Sequence, residues 1–551
     1  MGTIVLTLTS DTYEYFGQFV DSTTFTGGSS VTSLAIGSFD TSLGLTLGSG
    51  PWGLYLDGDG VMNQAFFDGQ SSDTPLNTYD LEADRLSVYG GNGDDHIDVY
   101  NTNFATILTG AGSDYIKVDY GLSAFINGGA GADTMIGGQE GDTYFVDDVG
   151  DKVIELGGYF GLTDTVSTTL LTYTLGADIE NLNLLEGNSS GYGNELNNNI
   201  NGSSGNNVID GFAGTNFLDG REGNDKFLVT SDDSRNFITG GTGDDTLVYK
   251  QGLGGGEDPW AFAHGQSAIF DGQDGTDNAA LDFSRALQVT ATVDGNTVVY
   301  DILGADGYHS TVSLTSVERV NIIGSAAADT FYGTSGNDWI DAGAGADTVH
   351  GSAGDDGYVF DNAGDRVVDE AAGGGTDTIW ATVSVNLNDN AYVENLRMNG
   401  SANINGIGNG LANMITGNAG NNIIAGGAGN DSLYGKGGAD TFHFNEMGAA
   451  NKDSIWDFDA NDKISLGNAF TGLDLDNNGM VDAASFEIVN KWGAVGTKAG
   501  PELIYNAASG ILSYDADGAG TAHAAQDIAF IGANKAFFDH SDILINSSLL
   551  V

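Results

Sequence analysis

The chain contains no cysteine and only 4 prolines among 551 residues. Without thiols it can form neither disulfides nor thiolate metal sites. A secreted protein of this kind needs another source of stability, and bound metal is the usual substitute. The few prolines, beside 86 glycines, argue against a proline-rich linker and favour tight turns that need a positive φ.

Basic residues are also scarce. Lys and Arg together number 17 against 76 Asp and Glu, which gives a formal net charge of -59. A chain without a basic surface repels nucleic acid and anionic membranes, so both are excluded as partners. Hydrophobic residues make up 40% of the chain, which excludes a disordered acidic chain. Either the acids solubilise the surface, or bound cations neutralise many of them.

Long apolar runs are missing as well. The first residues, MGTIVLTLTSDTYEYFG, lack the basic and apolar regions of a cleavable signal peptide. No run reaches the roughly 18 apolar residues of a membrane span, so we expect no membrane insertion. The protein is therefore expected to be cytoplasmic or to leave the cell by a route that does not read its N-terminus.

What the sequence does contain is a nine-residue repeat. From Gly417 it reads GNAGNNIIA, GGAGNDSLY and GKGGADTFH, with Gly at positions one and four, Asn or Asp at six and an apolar residue at eight. Such a unit predicts a glycine turn followed by a short strand whose eighth residue enters a core. Two units would close one coil, and successive coils would stack as parallel strands. The predicted core residues of the three clearest runs are Ile209, Leu218, Phe227, Phe331, Ile340, Val349, Tyr358, Ile424, Leu433 and Phe442.

The acids at position six are the candidate metal ligands. Stacked coils place them at about the strand spacing of ~4.8 Å, where like charges repel unless a cation lies between them. Calcium accepts six to eight oxygens in flexible geometry, whereas zinc requires His or Cys. The alternative is that they are solvated turn residues. The predicted calcium ligands are Asp95, Asp114, Asp133, Asp142, Asn207, Asp225, Asp245, Asp277, Asp329, Asp338, Asp347, Asp356, Asn422, Asp431 and Asp440.

Two departures from the regular repeat are informative. Asp95, Asp114 and Asp133 follow each other at one residue more than two nonapeptides, so we expect one acid per coil there and weak metal binding on the opposite edge. A larger duplication also relates TYFVDDVGDKVIE, from Thr143, to GYVFDNAGDRVVD, from Gly357. The spacers between repeat blocks, with their alternating β-branched residues, are therefore expected to be strands of the same structure.

The repeat GGxGxDxUx resembles the calcium-binding repeat of RTX proteins. The resemblance implies an all-β fold, a right-handed parallel β-roll or β-solenoid. It also implies that position-six residues of repeats two apart share an ion with turn carbonyls. The implied pairs are Asp329 with Asp347, Asp338 with Asp356, Asn207 with Asp225 and Asn422 with Asp440. Asn departs from the pattern, so we expect weaker sites at the last two pairs.

The C-terminal region also resembles RTX proteins. DSIWDFDANDKISL looks like the segment that commonly follows the last repeats, and LIYNAASGILSYDADGAG looks like its paired strands and acidic turn. RTX proteins are typically exported unfolded by a type I secretion machinery that reads an uncleaved C-terminal signal, to which SDILINSSLLV is similar. The resemblance therefore implies a secreted protein, extracellular or on the cell surface of a Gram-negative bacterium.

Other motifs are weaker. DLDNNGMVDAAS, from Asp474, is similar to a calcium loop, but Ser485 replaces the final Glu. Two alternatives are therefore open: the loop binds calcium, or its site is weak or absent. GNSSG, from Gly187, matches G-x-S-x-G without the helix that a nucleophile elbow requires. No H-E-x-x-H occurs, which argues against a metalloprotease. We therefore expect no enzyme activity, with a secreted hydrolase of unrecognised site as the least favoured alternative.

The expected function is structural. Nearly the whole sequence is scaffold, which favours a protein that assembles with copies of itself as a surface layer, filament or matrix. A monomeric adhesin that binds carbohydrate, such as a cell-surface polysaccharide, is the alternative. Small β-rich terminal domains flank the repeats. The predicted domains are an N-terminal β-rich anchoring or assembly domain (1–88), RTX blocks (89–146, 201–280, 323–360 and 407–445), β spacers (147–200, 281–322 and 361–406) and a C-terminal domain with the secretion signal (446–551).

Overall fold

The computed structural model describes the backbone of eight strands between residues 4 and 81, and the chain from residue 85 with gaps. Side chains are described from residue 86 onward. The end of the predicted secretion signal lies outside the described residues. The ranges from residue 85 are 85–91, 93–100, 104–119, 123–156, 162–231, 234–250, 266–305, 307–368, 373–390, 392–490, 497–520 and 522–545.

The chain forms two compact units. The first comprises residues 1–277 and 311–316, and the second comprises residues 278–310 and 317–551. The described residues contain no α-helix, and their three helical turns are the 3-10 helices Leu387–Asp389, Ala483–Ser485 and His540–Asp542. The all-β prediction is therefore confirmed.

In the first unit every strand pairs in parallel with the strand one coil away. The longest ladder consists of Ile4–Leu8, Thr23–Gly27, Ser42–Thr46, Gln64–Asp68, Arg85–Gly91, Phe104–Gly110, Ala124–Asn127, Thr143–Val146, Thr165–Thr168, Asn181–Leu184, Asn199–Asn201, Gly214–Glu222, Ser234–Thr242, Ser267–Asp274 and residues 311–315 of His309–Thr315. The opposite side is formed by Tyr13–Tyr15, Ser33–Ile36, Trp52–Leu56, Leu76–Leu81, His96–Tyr100, Tyr115–Asp119, Thr134–Ile136 and Lys152–Ile154. A third ladder contains Thr172–Thr174, Ser190–Tyr192, Val208–Asp210, Lys226–Val229 and Thr246–Lys250.

The second unit repeats this plan. One ladder runs through Asn278–Asp282, Arg319–Ile323, Trp339–Asp341, Gly357–Phe360, Thr378–Ala381, Asn395–Met398, Met414–Thr416, Ser432–Tyr434 and Asp453–Ile455. Facing strands are the hairpin Gln288–Asp294 and Thr297–Leu303, then Thr330–Tyr332, Thr348–His350 and Arg366–Val368. A further ladder contains Val385–Asn386, Gly406–Ile407, Ile423–Ala425, Thr441–Phe444, Lys463–Leu466 and Ile543–Ile545.

The C-terminal residues depart from the solenoid pattern. Phe486–Val489 pairs in parallel with Glu502–Asn506, which forms an antiparallel hairpin with Ile511–Asp515. Ile511–Asp515 then pairs antiparallel with Gln526–Phe530. The hairpin is the pair of strands predicted in LIYNAASGILSYDADGAG. The division at residue 88 remains a prediction, while the strands on its two sides belong to the same parallel ladders.

The repeat positions have the predicted structural roles. Every predicted core residue at position eight is buried, with at most 2% of its surface exposed. Position four must be small, as Gly131 shows: its φ is 129°, and a β-carbon there would lie 1.7 Å from the carbonyl oxygen of Gly112 in the coil before. The sequence pattern therefore sets a thin apolar core and tightly stacked turns, and position six faces those turns.

Candidate metal centres

The predicted ligands are all buried. Their exposed fractions lie between 0% and 4%, which rules out the alternative that they are solvated turn residues. These residues are Asp95, Asp114, Asp133, Asp142, Asn207, Asp225, Asp245, Asp277, Asp329, Asp338, Asp347, Asp356, Asn422, Asp431 and Asp440. Burying a carboxylate is costly unless it is paired and hydrogen-bonded, so its partners need to be identified.

One carboxylate oxygen of most of these acids has a regular partner. The backbone N–H of a position-six residue donates to Oδ1 of the position-six acid one coil later: Asp95 donates to Asp114 at 2.6 Å, and Asp114 donates to Asp133 at 2.8 Å. The same bond joins each pair implied by the resemblance. These bonds are Asp329 to Asp347 (2.8 Å), Asp338 to Asp356 (2.8 Å), Asn207 to Asp225 (2.6 Å) and Asn422 to Asp440 (2.8 Å). The structure thus brings the predicted pairs together, and the ion that they would share stays a prediction.

The second carboxylate oxygen is the unusual one. Oδ2 is buried and has no hydrogen-bond partner among the described residues in Asp114, Asp133, Asp225, Asp245, Asp347 and Asp431. None of these six forms an ion pair with a described Lys, Arg or His. The oxygen lies over the position-one glycine, since a β-carbon at Gly426 would stand 2.2 Å from Asp431 Oδ2. Position one is therefore glycine because a side chain would occupy the space of the carboxylate.

The electrostatics of the rows match this geometry. Burial, followed by the neighbouring carboxylates, raises the pKa of Asp133 and Asp347 to about 7. Burial and the charge of Asp245 likewise raise the pKa of Asp225 to about 7. Metal-free rows thus hold protons near neutral pH because their negative charges have no positive partner.

The asparagines show what surrounds position six. The amide nitrogen of Asn207 donates to the carbonyl oxygens of Gly187 and Ser189, both at 3.2 Å, and that of Asn422 donates to the carbonyl oxygen of Ile404 at 2.7 Å. Carbonyl oxygens of the preceding coil are therefore within reach of this position. An aspartate has no proton to give them when ionised, whereas a cation between carboxylate and carbonyl oxygens supplies the missing positive charge. Hard oxygen donors of both kinds fit calcium.

The rows continue into segments that sequence reasoning missed. Asp133, Asp347 and Asp440 donate their N–H to Oδ1 of Asp151 (3.0 Å), Asp365 (3.1 Å) and Asp462 (3.0 Å). Similar bonds lead from Asp142 to Asp164 (2.7 Å), from Asp356 to Asp377 (2.9 Å) and from Asp431 to Asp453 (3.0 Å). For Asp151, Asp164, Asp365 and Asp377 the available signal was the duplication, because both copies keep GD before the strand and TDT after it. Asp453 and Asp462 lie outside the duplicated segments.

The weak motif near Asp474 is compact. Asp474, Asp476 and Asp482 each offer an oxygen, and the three oxygens lie within 4.8 Å of one another. The oxygens of Asp474 already accept the N–H of Asn478 at 3.1 Å and of Gly479 at 2.9 Å. Internal turn hydrogen bonds thus account for much of this loop, and both alternatives for it stay open.

Comparison with known proteins agrees with this geometry. The family model described as RTX calcium-binding nonapeptide repeat (4 copies) matches residues 125–144, 192–227, 230–252, 323–358 and 407–442. No curated protein matches the sequence. Among the described residues, no helix has the length and apolar character needed to cross a membrane.

An extracellular lipase is among the solved structures that are similar to this chain. The crystal structure of extracellular lipase LipA from Serratia marcescens matches with 16% identity and a TM-score of 0.15, over 70% of this chain and 45% of the lipase chain. The alignment thus spans less than half of the lipase, and a likeness at this TM-score carries no argument about function. The repeat match is the informative finding: the chain contains RTX calcium-binding nonapeptide repeats, on a parallel β-solenoid.

Proposed function

We propose that this chain, whose coils carry RTX calcium-binding repeats, is a secreted protein that folds on calcium outside the cell and then assembles with copies of itself. The assembled form would be a structural component such as a surface layer, filament or matrix, with no catalytic role. The observation that carries the proposal is the rows of buried carboxylates whose second oxygens have no partner among the described residues.

Calcium would act as the folding switch. Folding without a cation brings like charges together in buried rows, which opposes the hydrophobic gain of a thin core. Calcium binding only to the folded rows stabilises them by mass action. A type I secretion machinery could therefore export the chain unfolded where calcium is scarce, and millimolar calcium outside would complete the fold.

The self-assembly part rests on an exposed apolar stripe in the first unit. Phe217, Phe237 and Ile269 lie at matched positions on three adjacent parallel strands. Phe217 is 56% exposed and Ile269 is 39% exposed, and the Phe217 and Phe237 rings stack with centroids 5.0 Å apart. An apolar stripe can pack against the same stripe of a second copy, because apolar surfaces need no opposite charge to associate. In a chain this acidic, calcium binding would also reduce the repulsion between copies.

The test is a calcium titration of the full chain from chelator to about 10 mM, followed by circular dichroism, light scattering and negative-stain microscopy. We expect β-structure to appear first and ordered assemblies to follow. Phe217→Ser should keep the β-structure and reduce assembly. Phe125→Ser is the matched control, because Phe125 is exposed in the same unit but lies outside the stripe.

The outcomes separate the two parts of the proposal. A chain that folds with calcium and stays monomeric at every concentration contradicts self-assembly and leaves calcium-dependent folding intact. A chain whose circular dichroism does not respond to calcium contradicts both parts. Equal assembly of the Phe217→Ser and wild-type proteins would contradict the role of the stripe.

A carbohydrate-binding adhesin is the second candidate, and a separate surface favours it. In the second unit the rings of Trp339 and Trp380 lie 4.7 Å apart, and those of Tyr434 and Trp456 lie 6.4 Å apart. Trp456 is 56% exposed. Exposed aromatic faces can pack against sugar rings. Binding of the calcium-loaded monomer to a cell-surface polysaccharide, lost in Trp456→Ala, would favour this candidate over assembly.

A further inference from the structure

A group of three buried carboxylates lies where a nonapeptide meets the following spacer. Asp142 is the position-six acid of the repeat that begins at Gly137, Glu155 follows the strand Lys152–Ile154, and Asp164 precedes the strand Thr165–Thr168. Each carboxylate offers one oxygen, and the three oxygens lie within 4.8 Å of one another. Their exposed fractions are 3%, 9% and 3%. The group belongs entirely to the first unit.

Hydrogen bonds fix two of these carboxylates. Asp142 accepts the N–H of Ala124 on Oδ1 at 2.6 Å and that of Gly138 on Oδ2 at 2.9 Å. Asp164 Oδ1 accepts the N–H of Asp142 at 2.7 Å. Both oxygens of Asp142 are therefore oriented by the backbone, so the carboxylate cannot turn away from its neighbours.

Glu155 completes the group from the spacer. Its Oε1 accepts a hydrogen bond from the Tyr144 hydroxyl, while its Oε2 is buried and has no hydrogen-bond partner among the described residues. A β-carbon at Gly137 would lie 2.6 Å from both Asp142 Oδ2 and Glu155 Oε1, so these oxygens converge over that glycine. No described Lys, Arg or His forms an ion pair with the three acids. Three carboxylates in one buried place lack a positive partner.

We propose that Asp142, Glu155 and Asp164 hold a calcium ion at the junction between repeat block and spacer, where two spacer carboxylates join one position-six acid. Two of its three ligands come from the spacer, so it obeys no nonapeptide spacing. The donors are all hard oxygens, and calcium tolerates the irregular geometry that a repeat and a spacer provide together. Tyr144 is a positioning residue that orients Glu155. The identity of the metal rests on the proposed function, whereas the site rests on the convergence of the oxygens.

The duplicated segment preserves the supporting bonds. Asp377 Oδ1 accepts the N–H of Asp356 at 2.9 Å, as Asp164 does from Asp142. A glutamate supports each second acid, because Glu180 accepts the N–H of Asp164 at 2.8 Å and Glu394 accepts that of Asp377 at 3.0 Å. The counterpart of Glu155 in sequence, Asp369, lies outside the described residues. The recurrence shows that the positions of Asp142 and Asp164 are built into the fold.

Native mass spectrometry of the full chain in calcium tests the site, because it counts bound ions as integers. We expect Glu155→Gln and Asp164→Asn each to bind one ion fewer than wild type. Glu195→Gln is the matched control: it removes the same charge from an exposed position and should bind as many ions as wild type. Unchanged ion counts in both site variants would overturn the proposal. Failure of the wild type to bind calcium at all would instead refute the proposed function.

A second measurement does not depend on how the variants fold. An anomalous difference map from wild-type crystals grown in calcium should show a peak within about 2.3–2.6 Å of oxygens from all three carboxylates. Peaks among the position-six rows without one in this group would overturn the proposal. Such a result would mean that the three carboxyls are neutralised by protons.

Discussion

At the scale of single residues, position six distinguishes two kinds of coil. An asparagine there satisfies itself, because its amide nitrogen donates to carbonyl oxygens of the coil before. An aspartate leaves its second oxygen without a partner among the described residues in several rows, as Asp225 Oδ2 illustrates. The weaker calcium binding predicted for the asparagine pairs thus has a structural cause. The amide N–H group donates to the carbonyl oxygens that calcium would otherwise bind.

This difference predicts a gain of calcium dependence in Asn207→Asp. The change removes donors to the carbonyls of Gly187 and Ser189 and adds a buried charge. At limiting calcium we expect the free energy of unfolding to fall by roughly 1–3 kcal/mol, the cost of unsatisfied buried groups. With calcium, one additional ion should bind and the loss should be recovered, as measured by urea unfolding and native mass spectrometry.

The adjacent Asn206→Asp is the control for Asn207→Asp. Asn206 is exposed, and its Oδ1 accepts the N–H of Asn224 at 2.9 Å, a bond that an aspartate can keep. This variant should unfold like wild type at limiting and at saturating calcium. Equal stability of the two variants at limiting calcium would show that the amide of Asn207 does not matter.

The glycine at position one should be as specific as the acid. In Gly426→Ala the new methyl group would stand 2.2 Å from Asp431 Oδ2, so the carboxylate must move. We expect a loss of about 1–3 kcal/mol, typical of overpacking, and weaker calcium binding. Gly410→Ala is the control, since nothing lies within 4 Å of a β-carbon at Gly410. Calorimetric calcium titrations that coincide for the two variants would contradict this role of Gly426.

At the scale of strands and turns, the sequence predicted the core positions of the nonapeptide repeats and missed the acids of the spacers. Position eight enters the core in every clear repeat, because each nonapeptide is a glycine turn followed by a short strand with one apolar residue that points inward. Phe227 and Ile340 are both fully buried. Asp164 could not be found by that period, because the spacer inserts residues between coils and places it 22 residues after Asp142. Asp151 keeps the period, 18 residues after Asp133, but Val146 and Val149 replace the two glycines of the repeat. Only their hydrogen bonds to Asp133 and Asp142 place them in the acid rows.

The acid rows predict opposite pH responses with and without calcium. In the metal-free fold the pKa values of Asp133, Asp225 and Asp347 are raised to about 7, mainly by burial. Unfolded aspartates have a pKa of about 3.9, so the fold binds more protons than the unfolded chain between these values. Stability in chelator should therefore decrease as the pH rises from about 4 through about 7.

Calcium should reverse that response, because it competes with the same protons and binds the ionised rows more tightly as the pH rises. Circular dichroism between pH 5 and pH 8 measures the response in chelator, and urea unfolding at both pH values measures the response in calcium. We expect the metal-free fold to be more stable at pH 5 and the calcium-bound fold to be more stable at pH 8. Slopes of the same sign would contradict cation binding by these rows.

At the scale of the whole molecule, charge and architecture depend on the same ions. On a solenoid with a thin core, 17 basic residues offset only part of the charge of 76 acidic residues and leave a formal net charge of -59. Each coil contacts only its neighbours, so the neutralisation of one row supports the coils on either side of it. Folding should therefore be cooperative in calcium, and it should need the coordination of an ion as well as screening of charge.

Magnesium and sodium can separate coordination from screening. Magnesium demands near-octahedral geometry and releases its water reluctantly, whereas the buried rows offer carboxylate and carbonyl oxygens in irregular positions. Without metal, small-angle scattering should give a radius of gyration of about 90 Å, the value for an unfolded chain of this length. Addition of about 10 mM calcium should contract the chain as β-structure appears in circular dichroism. Equal magnesium, or sodium chloride at matched ionic strength, should contract the chain only partly and leave the circular dichroism unchanged, because both screen charge without completing the rows. Full folding in sodium chloride alone would show that charge repulsion keeps the metal-free chain unfolded, and that no cation need be coordinated by the buried oxygens.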